Sequence, residues 1–267
     1  LHVHSGLMLR QIESVCNRLW ASACNRRGGG VRAMERLKAD LHTHTADDPF
    51  DRLDHSAEML IESAAGAGVR VLAITCHELN IYSEYLAKFA GKCGVLLIPG
   101  IEKFIEGKHV LILNPAREHL AAHTFQEFRA LGRRGAVFIA PHPYYPAPHS
   151  LLSNLVRNID LFDAIEFCSL YFRAINPNRW AESMAKSHGL PMIGTSDTHW
   201  LPYDDSTFSW ITAEPTIEGV LDAIRAGRVE VQTKPREFMP AARAISGAFR
   251  GLTAEYLAGK RHEDTAP

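Results

Sequence analysis

The stretch "ADLHTHTADD", residues 39–48, decides how the chain is read. A short apolar run ends in two histidines one residue apart, His42 and His44, and acids follow at once in Asp47, Asp48 and then Asp51. On a strand, residues i and i+2 point to the same side, so both imidazoles can hold one metal ion. A His-x-His pair needs further ligands, and the rest of the chain is where to look for them. A second pair, His2 and His4 in "LHVHSG", looks alike but has no strand–helix unit behind it.

From residue 37 onward, short apolar runs alternate with helical stretches. Residues 38–43 read as a strand. Residues 55–68 read as a helix with Ser56 as N-cap and Gly66 and Gly68 as stops. Residues 69–75 form a β-branched strand and 80–94 a helix. Residues 95–114 read as two strands around a tight "EGK" turn. Helices are expected at 124–135, 178–189 and 216–227, and strands at 136–140, 162–167, 190–196, 210–214 and 229–233. This alternation implies a parallel sheet or barrel, and near-continuous apolar strands imply burial of both faces. About seven strand–helix steps suit a compact barrel.

The metal-type residues fall at the ends of these strands. After His42 and His44 come His77, Glu102, His109 on the return strand of the hairpin, His142, Asp197 and His199. In α/β folds the C-terminal strand ends form the ligand face, so residues far apart in sequence converge on one cavity. Imidazole with carboxylate suits zinc, iron or manganese without thiolate. Eight such groups exceed the coordination capacity of one ion, so two to three divalent ions are expected, with at least one bridging carboxylate.

Six separated pieces, "DLHTHT", "AITCHE", "PGIE", "GKHVLI", "APHPYY" and "GTSDTH", occur in this order over residues 37–235 and resemble the PHP (polymerase and histidinol phosphatase) family. The resemblance implies a distorted (β/α)7 TIM-like barrel with a trinuclear metal site and phosphoester hydrolysis. It implies that His42, His44, Glu102 and Asp197 bind one ion. Glu102 would bridge to a second ion held by His109 and His142, and His77 and His199 would bind the third. An acid after the His-x-His completes the third set; Asp48 and Asp51 are preferred to Asp47. Cys76 stands where the family commonly has an Asp before His77. A small buried thiol is its simplest reading.

The activity expected is hydrolysis of a phosphoester by a metal-bridging hydroxide, with Asp197, His199 and Glu102 acting through it. Tyr144 and Arg173 are candidates to touch substrate, and Glu78 to support the site. The substrate expected is a small phosphorylated molecule, a nucleotide or an oligonucleotide end. A net charge of −1 and a compact length weigh against long duplex nucleic acid. A barrel amidohydrolase is the first rival. Such enzymes commonly carry a bridging Lys at a strand end, where this chain has Glu102; the adjacent Lys103 would face away on a regular strand. A catalytically silent PHP-like interaction domain is the second.

The remaining chain is less informative. Five cysteines, an odd number without C-x-x-C spacing, fit a reducing cytoplasm better than a disulfide framework. No apolar run approaches the ~20 residues of a membrane span. Residues 1–33 are rich in Arg, poor in acids and end in Gly28–Gly30; they are expected to be an extension ahead of a start at Met34, with a transit-type leader as the alternative. The barrel is expected over 34–240, and 241–267 as a C-terminal helix with a polar tail. Oligomeric state is not legible.

Overall fold

The computed structural model describes residues 33–236. The expected N-terminal extension, apart from Ala33, and the expected C-terminal helix at 241–267 lie outside the described residues. Within them, a nine-stranded mixed sheet curls into a nearly closed barrel.

Its strands are β1 (Glu35–Asp40), β2 (Val71–Ile74), β3 (Leu96–Ile105), β4 (Lys108–Leu113), β5 (Val137–Ala140), β6 (Ala164–Cys168), β7 (Met192–Thr195), β8 (Thr207–Ala213) and β9 (Val229–Thr233). Their order is β7-β6-β5-β4-β3-β2-β1-β8-β9. Pairs β1–β2, β2–β3, β5–β6 and β6–β7 are parallel. Strand β4 is antiparallel to both neighbours, because the Glu106–Gly107 turn sends it straight back beside β3. The last two strands keep the expected alternation with a helix but depart from parallel pairing. They run antiparallel on the outer side of β1.

The helices are α1 (Ala57–Gly66), α2 (Glu84–Lys92), α3 (Arg117–Ala121), α4 (Phe125–Leu131), α5 (Ser153–Arg157), α6 (Asn178–His188) and α7 (Ile217–Arg225). Side-chain caps start several of them. Ser56, Ser83, Thr124 and Thr216 each accept a backbone N–H of the first turn. The short helices α3 and α5 have no such cap and too few residues for an apolar period to show.

Strand alternation explains the layers. One apolar cluster joins Leu37, Ala39, Val71, Ala73, Ile98, Leu111, Leu113, Val137, Ile139, Ala164, Ile193 and Ile211 with Val220, Leu221 and Ile224 of α7. It touches β1 to β8, so it is the barrel interior, closed below by α7. The intervening strand residues, such as Leu72, Ile74, Ile101, Ile112, Phe138 and Ile165, face out against the helices in two further clusters.

The barrel closes in two ways. At its base β8 lies against β7: Gly194 N–H donates to the Ser209 hydroxyl, which donates to the Gly194 carbonyl, both at 2.9 Å. A Cβ on Gly194 would stand 2.6 Å from the Phe208 carbonyl oxygen, so only glycine allows this approach. Beyond the strand ends, β1 and β7 meet directly. His44 N–H donates to the Thr198 carbonyl (3.0 Å) and Asp197 N–H to the His42 carbonyl (3.1 Å), a parallel bridge through Thr43 and Thr198.

Candidate metal centre

The inward-facing alternation that fills the barrel with aliphatic side chains delivers polar ones at its C-terminal end. His77 follows Val71 and Ala73 by even steps, Glu102 follows Ile98, His109 precedes Leu111, and Asp197 follows Ile193. His142 and Asp197 turn in with φ of 27° and 50°, in the left-handed region that non-glycine residues rarely occupy. Such backbone strain gathers at functional sites.

Glu102 is the hub, 1% exposed. Its Oε1 lies 2.7 Å from His109 Nδ1 and 3.1 Å from His142 Nε2. Its Oε2 lies 3.1 Å from His42 Nε2, 3.4 Å from His44 Nε2 and 3.1 Å from His77 Nε2. One carboxylate oxygen therefore serves each of two histidine groups, the arrangement a bridging ligand requires. Asp197 Oδ1 stands 3.5 Å from His42 Nε2, His44 Nε2 and His199 Nδ1.

The trailing aspartates divide by position. Asp47 is exposed and, among the described residues, accepts only from the Thr45 hydroxyl, at 3.1 Å. Asp48 is buried; its Oδ2 accepts from His77 N–H (2.8 Å) and lies 2.9 Å from Nδ1 of both His44 and His77. Its Oδ1 accepts from Phe50 N–H and Asp51 N–H, which turns the loop. That turn carries Asp51 to 3.1 Å from His199 Nε2 and 3.5 Å from His77 Nδ1.

Electrostatics tie the cluster together. Burial alone would raise the Glu102 and Asp197 carboxyls. The imidazoles of His109, His42 and His77 hold Glu102 well below the usual carboxylate range, and His42 and His199 do the same for Asp197. Burial opposes charge on His77 and His199, but the carboxylates override it. Glu102 and Asp48 lift His77 to about 10, and Asp197 and Asp51 lift His199 to about 9. His109 goes the other way, down to about 4, because burial outweighs its Glu102 contact and His77 and His142 repel it.

The residues present fit divalent cations. Among the described residues, His44 Nε2, His109 Nε2 and Asp197 Oδ1 are buried without a hydrogen-bond partner, and His109 Nδ1, though 2.7 Å from Glu102 Oε1, makes no well-aligned bond there. Buried polar atoms normally have partners, and the Asp197 oxygen and one ring nitrogen of each neutral imidazole can offer lone pairs to a cation. Four groups each bring ligand atoms within 4.8 Å: His44, Asp48, Asp51 and His77; His42, Glu102 and His142; His42, His44 and Asp197; and His77, Glu102 and His109.

Other candidates stand apart. Cys76 belongs to none of these groups; its thiol lies 3.4 Å from the Thr45 hydroxyl and burial pushes it up to about 11. Glu78 accepts from Lys103 Nζ (2.6 Å) and Phe104 N–H (2.6 Å) instead of turning to the histidines. Tyr144 packs its ring against Trp180, and Arg173 is exposed. A cavity of about 160 Å3 adjoins the cluster, lined by Asp197, Thr198, His199, Trp200 and Arg236 among others. Its basic side chain is Arg236, held by Asp204 (2.9 Å) and Ser169 (3.0 Å).

Sequence reading missed Arg236, Asp40 and Glu166. Asp40 accepts from Ser196 and from the Tyr203 hydroxyl, bracing the β1–β7 seam. Glu166 touches His42, His142 and Thr195. The available signal for Glu166 was an acid between Ile165 and Phe167 in a strand otherwise fully buried.

No protein-family model matches the chain, and no curated protein matches it by sequence. Solved structures do match. A two-domain protein from Bacteroides vulgatus containing a predicted PHP-like metal-dependent phosphoesterase aligns with a TM-score of 0.60 at 19% identity, over 78% of this chain and 69% of that one. An amidohydrolase from Chromobacterium violaceum with bound sulfate aligns with a TM-score of 0.51 at 16% identity, over 72% and 97%. Endonuclease Q, in complex with a 27-mer duplex carrying an abasic lesion at the active site, aligns with a TM-score of 0.51 at 16% identity, over 72% and 57%.

The last of these corrects one expectation. Weighing neutral charge and compact length against long duplex nucleic acid does not hold for this fold, since Endonuclease Q takes a duplex at its active site. Net charge averages over the whole surface, whereas a strand meets the field of one face. The chain has the barrel fold of the PHP-like metal-dependent phosphoesterases.

Proposed function

We propose that this chain is a metal-dependent hydrolase of phosphoesters. The observation that carries the reading is Glu102, buried with imidazoles on both of its oxygens. His42, His44, Glu102 and Asp197 would hold one divalent ion, and Glu102, His109 and His142 a second. His77, His199 and Asp51 would hold a third, with Asp48 beside them. Manganese, zinc and iron suit such a donor set. Divalent ions bound there lower the pKa of water and neutralise phosphoryl oxygens.

The chain's own residues do the rest. Asp48 orients the His44 and His77 rings through their Nδ1 atoms. His42, His44 and Glu102 are buried, which keeps bulk water from the cluster. His199 is the more open member, its side chain 20% exposed, and it borders the cavity with Asp197. Substrate would enter there, beside Arg236. A small phosphate ester, a nucleotide or a nucleic-acid end fits the reading.

The test is a panel of phosphomonoesters, phosphodiesters and nucleic acids, single-stranded and duplex, after metal reconstitution. Metal-dependent turnover is expected, and His142→Ala and Asp197→Ala should abolish it. Variants that keep full activity would overturn the site. Amide substrates in the same panel test the amidohydrolase alternative. Against that alternative stands Lys103, whose ammonium is bound to Glu78 and not to the Glu102 cluster. Less than one tightly bound ion per chain, with no activity after metal addition, would leave a silent interaction domain.

A further inference from the structure

Glu166 lies in the middle of β6 with no exposure at all. It has the parity of Ala164 and so faces the barrel interior, at the level where aliphatic packing gives way to the cluster. Three donors from three segments converge on it. His42 Nδ1 lies 2.6 Å from Oε1, the Thr195 hydroxyl donates to the same oxygen at 2.5 Å, and the His142 backbone N–H donates to Oε2 at 2.5 Å. Glu166, like His199, belongs to none of the four groups that could hold an ion, but, unlike His199, it has both of its oxygens already taken by these donors.

A carboxylate only accepts, so the proton between Glu166 and His42 belongs to Nδ1. The other ring nitrogen, Nε2, is then directed at Glu102 Oε2 and Asp197 Oδ1, 3.1 and 3.5 Å away. The second oxygen of Glu166 pins His142 just past the end of β5, where its backbone turns in with a positive φ. Its Nε2 thereby arrives at Glu102 Oε1. One side chain thus sets two imidazoles on opposite oxygens of Glu102.

We propose that Glu166 is a positioning residue of the metal centre, fixing the ring orientation and tautomer of His42 and the backbone of His142 without itself being a ligand. The inference rests on the reading of this cluster as a metal site. Partners that orient a ligating imidazole typically govern metal affinity by 10–100-fold.

Glutamine at this position has one acceptor oxygen for three donors. Either His42 loses its Nδ1 acceptor or His142 N–H is orphaned, and in both cases a ligand is misplaced. The experiment measures zinc affinity by chelator competition, and thermal unfolding of the metal-free protein, for wild type, Glu166→Gln and Ser209→Ala. Glu166→Gln should bind zinc about 10–100-fold more weakly. Ser209→Ala, which removes a buried hydroxyl bonded to Gly194 at the β7–β8 contact, should keep wild-type affinity whatever its unfolding midpoint.

A purely structural Glu166 would lower the midpoint and leave affinity within about threefold of wild type, which overturns the proposal. If Glu166→Gln does not fold, Glu166→Asp keeps the charge but withdraws the carboxylate by one methylene, and must show the same loss. Proton NMR supplies the separate check. His42 Nδ1–H should be protected from exchange in wild type, with or without zinc, and unprotected in Glu166→Ala. Wild-type protein that binds no zinc overturns the metal reading; Glu166 then stands or falls on that proton signal alone.

Discussion

Removing Glu78 should cost far more stability than removing the lysine it holds. Lys103 is among the largest fully buried side chains of the described residues, 1% exposed, and its ammonium lies 2.6 Å from Glu78 Oε2. The other Glu78 oxygen accepts from Phe104 N–H at 2.6 Å. Glu78→Ala strands a buried ammonium, which costs about 3–5 kcal/mol, and orphans an N–H, worth about 1–3 kcal/mol. Because the Glu78 side chain is 27% exposed, water can reach part of the gap, and the low end of the sum, about 4 kcal/mol, is expected. Lys103→Met instead removes the buried charge and fills similar space. Glu78 keeps Phe104 N–H and gains water, so the cost is about 0–1 kcal/mol. Equilibrium urea unfolding of metal-free protein reads the difference of about 3 kcal/mol as a shift in midpoint at constant slope. Equal destabilisation by the two variants would refute the reasoning. The same Lys103→Met protein should take up metal normally, whereas a lysine bridging two ions would take the metal with it.

Three other outcomes follow from the site and the seam. His77 and His199, raised to about 10 and 9, are protonated in metal-free protein at pH 7.5, so metal uptake should release protons, measured by calorimetry in buffers of different ionisation enthalpy. Raised histidines stabilise the metal-free fold fully below their unfolded value of 6.5, and that stability drains as pH climbs through 9 and 10; its unfolding midpoint should therefore fall over that window, and a flat profile would contradict the assignment. Asp51→Asn should lose one metal ion per chain by elemental analysis while Asp47→Asn loses none, since Asp51 reaches His199 and Asp47 is exposed. Gly194→Ala puts a Cβ 2.6 Å from the Phe208 carbonyl and should destabilise by about 1–3 kcal/mol in thermal or urea unfolding.

Much of this centre was legible before any coordinates. Residues at strand ends are marked by where an apolar run stops; His42, His77 and Asp197 stand just past the ends of β1, β2 and β7, whereas Glu102 follows its apolar run inside β3, which continues to Ile105. The "EGK" turn announced that β4 doubles back, and Ser56 announced the start of α1. Periodicity reports which side of its own strand a residue takes, and so placed Lys103 on the side away from Glu102. It is silent on what stands across the cavity. Hence Tyr144, next to the "PHP" piece, points to Trp180, and Arg236 occupies the cavity wall in place of the exposed Arg173.

By itself, the sequence determined the alternation of strands and helices, the inventory of ligand-type side chains and the end of the barrel at which they gather. Those properties are local, because they follow from two-residue alternation and from where apolar runs end. Tertiary structure alone decided the division between Asp48 and Asp51, the direct β1–β7 seam through Thr43 and Thr198, the antiparallel course of β8 and β9, and the role open to Glu166. Glu166 and His42 are 124 residues apart, and nothing in either neighbourhood encodes the 2.6 Å between them. Closing the barrel brings the inward faces of β1, β5, β6 and β7 onto one axis, and a buried acid in an apolar strand then finds the hydrogen-bond donors that burial requires.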